Sequence, residues 1–305
     1  MATPTETELN GVGPSSAYFA PEVRSFPAQR EFLRRFRKQP LGVGGFVILV
    51  IIIVLAAVGP SIAPSDPYQL GTAGRLKPPS LENFAGTDHL GRDVLSRVIY
   101  GIRPSIVVAF GAVIISVSVG GLIGGISGYL GGAFDLVAQR VMDAISALPS
   151  LFLGVLVLTI LTPSYFNLMI AIGFVTAPIV QRVVRASTLS EKERDYILAG
   201  KVVGASHGRL LFRHILPNIL APIMVIASAE LGSAILIAAS LSFLGFGTPP
   251  PEPSLGAMVS GEGRKYMQQA PWLVLVPAGV ISLAILSANF VGDALRDVLD
   301  PRLRF

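Results

Sequence analysis

RVVRASTLSEKERDYILAGKVVGASHGRLLFRHILP, residues 182–217, interrupts two long apolar regions with a charged insert of helical character. It carries seven of the 24 Lys and Arg residues of the chain: Arg182, Arg185, Lys192, Arg194, Lys201, Arg209 and Arg213. An amphipathic insert of this size in a hydrophobic sequence points to a surface read from outside a bilayer.

The composition around it supports a membrane setting. Charged residues make up 14% of the chain and hydrophobic residues 51%, with mean hydropathy +0.64, whereas soluble domains average about 25% charged. Gly and Pro are frequent, as they are in membrane helices. With no cysteine, disulfide frameworks and Cys-based metal or nucleophile sites are excluded. The net charge of +5 is confined to particular loops, which indicates membrane topology and not nucleic-acid binding.

Outward from the insert, the uncharged runs predict six spans. Residues 41–58 are long enough for a first span of ~17–25 residues. Residues 104–127 give a second, whose tail spaces Gly121 from Gly125 and Gly124 from Gly128 by four, a pattern that lets helix backbones approach in lipid. Asp135, Arg140 and Asp143 mark a short loop. Residues 144–181 are too long for one helix, and Thr162-Pro163-Ser164 divides them into a third and a fourth span. Residues 218–240 and 272–292 supply the last two.

Before the first span, residues 1–29 read as a disordered tail, with no signal peptide. Residues 30–80 hold a basic amphipathic stretch, in which Phe32, Leu33 and Phe36 interleave with Arg34, Arg35, Arg37 and Lys38, followed by the first span and the start of an outer loop. Six spans put both termini on the side of the insert. That side has 17 Lys and Arg against 7 opposite, so positive-inside bias makes it cytoplasmic.

Within the insert, Ser190 and Glu193 form a capping-box pattern expected to open a helix that Gly204 stops in the left-handed conformation. Ser206 is placed to cap a second short helix ending at Pro217. Tyr196, Ala199, Gly200 and Val203 recur at helical spacing and make a shallow face suited to a partner's groove.

Three blocks carry a family resemblance. LAGKVVG, nine residues and HILP resemble the cytoplasmic EAA loop of ABC-importer permeases, with Ala199, Gly204, Leu216 and Pro217 matching; Leu198 replaces the Glu, Gly200 the second Ala, and His214 stands at the Ile position. GTDHLGRDVLSRVIYGIRPSI, residues 86–106, resembles the approach to the second span in the C-type permease of peptide and nickel importers. LSFLGFGTPPPEPSLGAM and FVGDALRDVLDPRLR resemble the fifth-to-sixth-span loop and C-terminus of that subfamily. The chain is thereby identified as similar to an all-α, polytopic permease of the type I ABC importer fold, with a core domain over residues 81–305 (transmembrane region about 101–293) and a coupling loop over 182–217.

The resemblance implies a bacterial cytoplasmic-membrane subunit that forms a heterodimeric pore with a second permease. It further implies two ATP-binding subunits, which hold the ATP and Mg, and an extracytoplasmic substrate-binding protein, with peptides as cargo. Nickel, glutathione or another small solute is the alternative within this architecture; a lone secondary transporter or a membrane scaffold is the alternative class. The expected ATPase-docking residues are Arg194, Asp195, Tyr196, Ala199, Gly200, Lys201, Val203 and Gly204. The chain shows no G-x-x-x-x-G-K-[ST] loop and no catalytic constellation, so it is expected to be a conduit without a cofactor of its own.

Two further groups of ionisable residues stand apart from the insert. Asp88, His89 and Asp93 with Arg92 and Arg97 read as structural, since arginine neighbours disfavour a metal; Thr87-Asp88 is the expected cap of the following helix. Glu230 is the carboxylate well inside a span, where ionisable groups are functional candidates. A substrate-path role and a purely structural one weigh equally.

Overall fold

The computed structural model describes residues 29–299, apart from 72, 73, 163 and 250. The expected disordered tail therefore lies outside the described residues except for Gln29. All regular elements among the described residues are helical; a single bridge pairs Thr87 with Asp93.

The short α1 (Gln29–Phe36) precedes α2 (Pro40–Ile62), and α3 (Val94–Leu130) follows a long loop. α4 (Gly132–Ser146) and α5 (Ser150–Leu161) lead to α6 (Tyr165–Lys192), and α7 (Asp195–Val202) follows it after a two-residue break. A π-helical segment, Arg209–Ile215, and one turn, Leu216–Asn218, connect to α8 (Leu220–Leu241). Two short helices, α9 (Leu255–Val259) and α10 (Gly261–Lys265), precede α11 (Trp272–Leu299). By length and apolarity α2, α3, α6, α8 and α11 can each cross a membrane. On α2, Val47, Ile51, Val54 and Val58 are exposed at helical spacing, a stripe suited to lipid.

The third span differs from expectation. α4 and α5 meet at 93°, and a helix of 12 residues rises only about 18 Å, short of the roughly 30 Å hydrocarbon core. The expected loop charges lie on α4 because α6 answers them. Arg185 clamps Asp135 with Nε and Nη2 at 2.6 and 2.5 Å, and Arg182 Nη2 donates to Ser146 Oγ at 2.9 Å and reaches Asp143 Oδ1 at 3.4 Å. The bent pair still carries the chain across the bundle, since Asp135 sits near the end of α6 and α5 leads within a few residues to its start. Among the described residues five helices are long and apolar enough to cross a membrane, and the bent α4–α5 pair, counted as one broken span, brings the total to the expected six.

α3 and α6 form the central pair, and glycine makes their approach possible. A Cβ at Gly120, Gly124 or Gly128 would lie 2.5, 2.5 or 2.9 Å from the carbonyl oxygens of Ala177, Gln181 and Arg185. With no side chain in the way, the backbones pack directly, as small-residue stripes do in lipid. The stripe is shifted from the expected one: Gly124 and Gly128 take part, whereas Gly121 faces open space and Gly125 barely touches Leu211.

At the opposite end from α7, the loops 63–93 and 247–271 interlock. Asp93 caps α3, its Oδ2 accepting from Ser96 N at 2.8 Å and Ser96 Oγ at 2.7 Å. The cap expected at Thr87-Asp88 is not used: Asp88 instead folds its own loop, accepting from Leu90 N, Arg92 N and Arg92 Nε. His89 Nδ1 is 2.9 Å from Glu262 Oε2, the ring stacks on Tyr266, and Trp272 Nε1 donates to Thr87 O at 3.2 Å. Asp88, His89 and Glu262 bring possible metal-ligand atoms together. The Arg92 guanidinium, 2.6 Å from Asp88 and 3.5 Å from Glu262, already supplies the positive charge there.

Candidate functional site

α7 is presented on a rigid mount. α6 runs through Ser190 to Lys192, so the expected capping box does not form; Arg194 precedes the first residue of α7 and no side chain caps it. The mount is built around Glu191, which is 3% exposed. Its carboxylate accepts Tyr196 Oη at 2.7 Å and pairs with Arg194 Nε at 3.0 Å. Two charge-assisted contacts satisfy a buried acid that would otherwise be costly. Asn218 Nδ2 also donates to Tyr196 Oη at 3.2 Å, which ties α7 to the turn before α8. Burial, reinforced by the Glu191 carboxylate, pushes the Tyr196 hydroxyl well above its ordinary range, so it stays a donor. Lys192 Nζ donates to Gly128 O at 2.9 Å and fixes the same corner to α3.

Beneath α7 lies a second apolar cluster of Tyr129, Val180, Val184, Ile197, Leu210, Leu211, Ile215 and Ile219. Ile197 is its contribution from α7, fully buried. Gly200 also turns inward, where a Cβ would come 2.9 Å from Leu210 Cδ2. Gly204, at φ +80°, ends the helix as expected. Ser206 starts the next segment, its carbonyl accepting Leu210 N at 3.0 Å and its Oγ accepting Arg209 N at 3.4 Å. Tyr129 Oη and His207 Nδ1 meet at 2.9 Å and hold that segment to α3.

The outer surface of α7 is apolar and has no partner among the described residues. Leu198, Ala199, Val202 and Val203 are exposed, Val202 at 87% and Val203 at 83%. Asp195 and Lys201 flank them, also exposed. The expected docking residues therefore divide by position. Ala199, Val203, Asp195, Lys201 and Gly204 lie on the open surface, Tyr196 is partly open but anchored, and Arg194 and Gly200 face the mount. Sequence reasoning missed Glu191, although its spacing of three from Arg194 was a signal. It also missed Leu198 and Val202, four apart, which make the apolar shelf with Ala199 and Val203.

Glu230 is on α8, 5% exposed, and its Oε2 has no hydrogen-bond partner among the described residues. It is thus separate from the α7 surface, within the bundle.

Comparison with known proteins agrees with this arrangement. Residues 120–305 match the family described as binding-protein-dependent transport system inner membrane component. Residues 29–79 match the N-terminal TM domain of oligopeptide transport permease C. The chain is 42% identical over 292 residues to a dipeptide transport system permease protein of Haemophilus influenzae, covering 94% of this chain and 97% of that one. It is 41% identical over 275 residues to the corresponding protein of Alkalihalophilus pseudofirmus, covering 90% of each. It is 36% identical over 281 residues to the oligopeptide transport system permease protein of Bacillus subtilis, covering 92% of each. A helical bundle of membrane-crossing length, matched along most of its chain by such permeases, belongs to the family of binding-protein-dependent transport system inner membrane components.

Proposed function

We propose that this chain is one of two unlike permease subunits of an ATP-driven importer of di- or oligopeptides. It forms half of the substrate pathway and is coupled through α7 to ATP-binding subunits, which hold ATP and Mg. An extracytoplasmic binding protein delivers the cargo to the loops 63–93 and 247–271. Both termini and α7 face the cytoplasm, in line with the 17 to 7 distribution of Lys and Arg. The permeases of similar sequence are named for dipeptide and oligopeptide transport.

The observation that carries the reading is the apolar shelf of α7 on a corner bonded through Glu191, Lys192 and Asn218. Exposed apolar groups on a cytoplasmic loop have no reason to stay in water unless a partner covers them. A helix laid into a groove needs such a face. In this reading Ala199, Val203, Gly204, Asp195 and Lys201 touch the ATP-binding subunit, while Arg194, Tyr196 and Gly200 hold the helix in position. The core permease domain extends over residues 81–305, and Glu230 belongs to the substrate path. The reading is tested by purifying the chain with its partners and measuring peptide uptake in proteoliposomes. Recovery with a second permease and two ATP-binding chains, with uptake that needs ATP and binding protein, is the expected result; function as an isolated monomer would overturn it.

A further inference from the structure

The chain enters its first membrane-crossing helix through an aromatic and basic corner. α2 ends in the loop 63–93, which lies opposite α7, so its start and α1 belong to the α7 end. Phe32 and Phe36, one turn apart on α1, stack with centroids 6.3 Å apart, and Phe36 meets Phe46 of α2 edge to face at 6.0 Å. Phe46 is half exposed beside Val47, Val50 and Val54, also exposed, so α1 is folded against the side of α2 that suits lipid. Gln39 Nε2 donates to Asp297 Oδ2 at 3.1 Å and ties the corner to the end of α11. The helices touch there, since a Cβ at Gly42 would lie 2.3 Å from that of Ala294.

The polar side of the corner carries unpaired positive charge. Glu31 is the carboxylate of α1, and Arg35 Nη2 already takes it at 2.5 Å. Arg34, Arg37 and Lys38 are exposed and enter no ion pair among the described residues. The acids on the adjoining end of α11 leave them free: Asp297 accepts from Gln39, and Asp293, exposed, has exposed Arg296 on the turn after it. Arg34 lies two residues from both Phe32 and Phe36, hence across the helix from them. Arg37 and Lys38 come immediately before the apolar run that starts at Pro40, so their charge stands at the border of hydrocarbon and water.

An amphipathic helix placed at that border attracts anionic lipid through its basic face. The long basic side chains can lay their stems along apolar surface and carry their charge out to headgroup phosphates. Leu33 and Leu41, exposed at 48% and 66%, favour a lipid over a soluble anion, because an acyl chain covers them while its phosphate meets the cations. We propose that Arg34, Arg37 and Lys38, seated on α2 by Phe32, Phe36 and Phe46, bind the phosphate of an anionic phospholipid in the leaflet at the α7 end. The bound headgroup holds the α1–α2 corner against α11. The proposal concerns neither cargo nor ATP, and stands apart from the function proposed above.

The test uses the full chain in nanodiscs of phosphatidylcholine. Because the chain has no cysteine, Leu41→Cys provides one thiol at the corner for a bimane fluorophore. A minor fraction of phosphatidylglycerol or phosphatidylcholine, each with a nitroxide high on its acyl chain, serves as quencher. Phosphatidylglycerol is expected to quench about threefold or more above phosphatidylcholine at equal fraction, with the gap narrowing as salt rises. Changing Arg34, Arg37 and Lys38 together to Gln should abolish the preference. Changing Lys201, Arg209 and Arg213 to Gln, an equal loss of charge at other exposed positions, should preserve it. Soluble glycerol phosphate in excess should leave the preference unchanged. Equal quenching by both lipids in the chain with its native basic residues would overturn the site, whatever the variants do. A preference that survives the first triple change, falls equally in the second, or is removed by glycerol phosphate would overturn it as well.

Discussion

Glu191 Oε1 and Tyr196 Oη lie 2.7 Å apart across the junction of α6 and α7, so a helix of membrane-crossing length and the exposed helix that follows it are bonded at their corner. Arg194 Nε closes the joint from the other carboxylate oxygen. A hinge at this point would absorb displacement of α7; a bonded corner passes it to α6 and, through Lys192 and Gly128 O, to α3. Removing the acid should therefore disconnect α7 from the bundle without removing any residue of its outer surface.

Glu191→Ala leaves a phenol and a guanidinium without their acceptor, at a cost of about 1–3 kcal/mol. Phosphate release by the assembled complex should then lose most of its stimulation by loaded binding protein, about tenfold, while basal hydrolysis persists. Glu191→Gln, which still accepts from Tyr196, should retain more of it. Full stimulation in the Ala variant would show that the joint transmits nothing.

The same bond sets a pH expectation. The Tyr196 hydroxyl is raised above its unfolded value near 10. Its contribution is therefore fully present below about pH 10 and is lost only as pH rises through the higher folded value. Coupling should show no dependence on this group between pH 6 and 9. In an ultraviolet titration at 295 nm, the difference between the wild-type chain and Tyr196→Phe should be one tyrosine ionising later than the free phenol; ionisation at its ordinary pH would contradict the bond.

Val202→Glu places a charge where the side chain is 87% exposed, so folding should be unaffected. Co-purification of the ATP-binding subunits should fall at least tenfold, because a carboxylate cannot enter an apolar groove unpaired. Gly200→Glu is a poorer probe of the same idea: its Cβ points at Leu210 and would unseat α7 from beneath. Undiminished recovery of partners with Val202→Glu would move the docking surface elsewhere.

What was legible in the sequence and what was not follows from the range of the interactions. The long spans were visible because lipid imposes an uncharged run of fixed length, and Gly204 because a left-handed residue is a local requirement. α4 was hidden since Asp135 and Asp143 look like loop residues until Arg185 and Arg182, some forty to fifty positions later, answer them. The Ser190 and Glu193 pattern misled for a related reason. α6 continues past Ser190 because Thr188 and Glu191 are buried against the bundle, and tertiary packing overrides a local start signal. Small-residue spacing predicted that α3 packs closely, but the glycine face it uses depends on where α6 lies.

Gly124→Leu should prevent the α3–α6 approach, because its Cβ would sit 2.5 Å from Gln181 O, a backbone atom that cannot rotate away. A loss of more than about 3 kcal/mol is expected, beyond ordinary overpacking, seen as loss of folded chain in detergent-resistant gels. Gly121→Leu, facing open space within this chain, should leave the fold intact. Equal tolerance of both substitutions would mean that the two helices do not meet as described.

Glu230 offers the last test. A carboxyl group on a membrane-crossing helix is expensive, and Oε2 lacks a partner among the described residues, so no bond seen here accounts for it. If α8 exposes it to the pathway when the pore changes state, Glu230→Gln should assemble normally and retain ATP hydrolysis. Uptake should fall about tenfold, because the amide keeps the shape but loses the ability to carry charge. Glu230→Leu should fold as well or better, since burying an alkyl group costs less than burying an acid. Normal uptake by the Gln variant would remove Glu230 from the path and leave it a structural group.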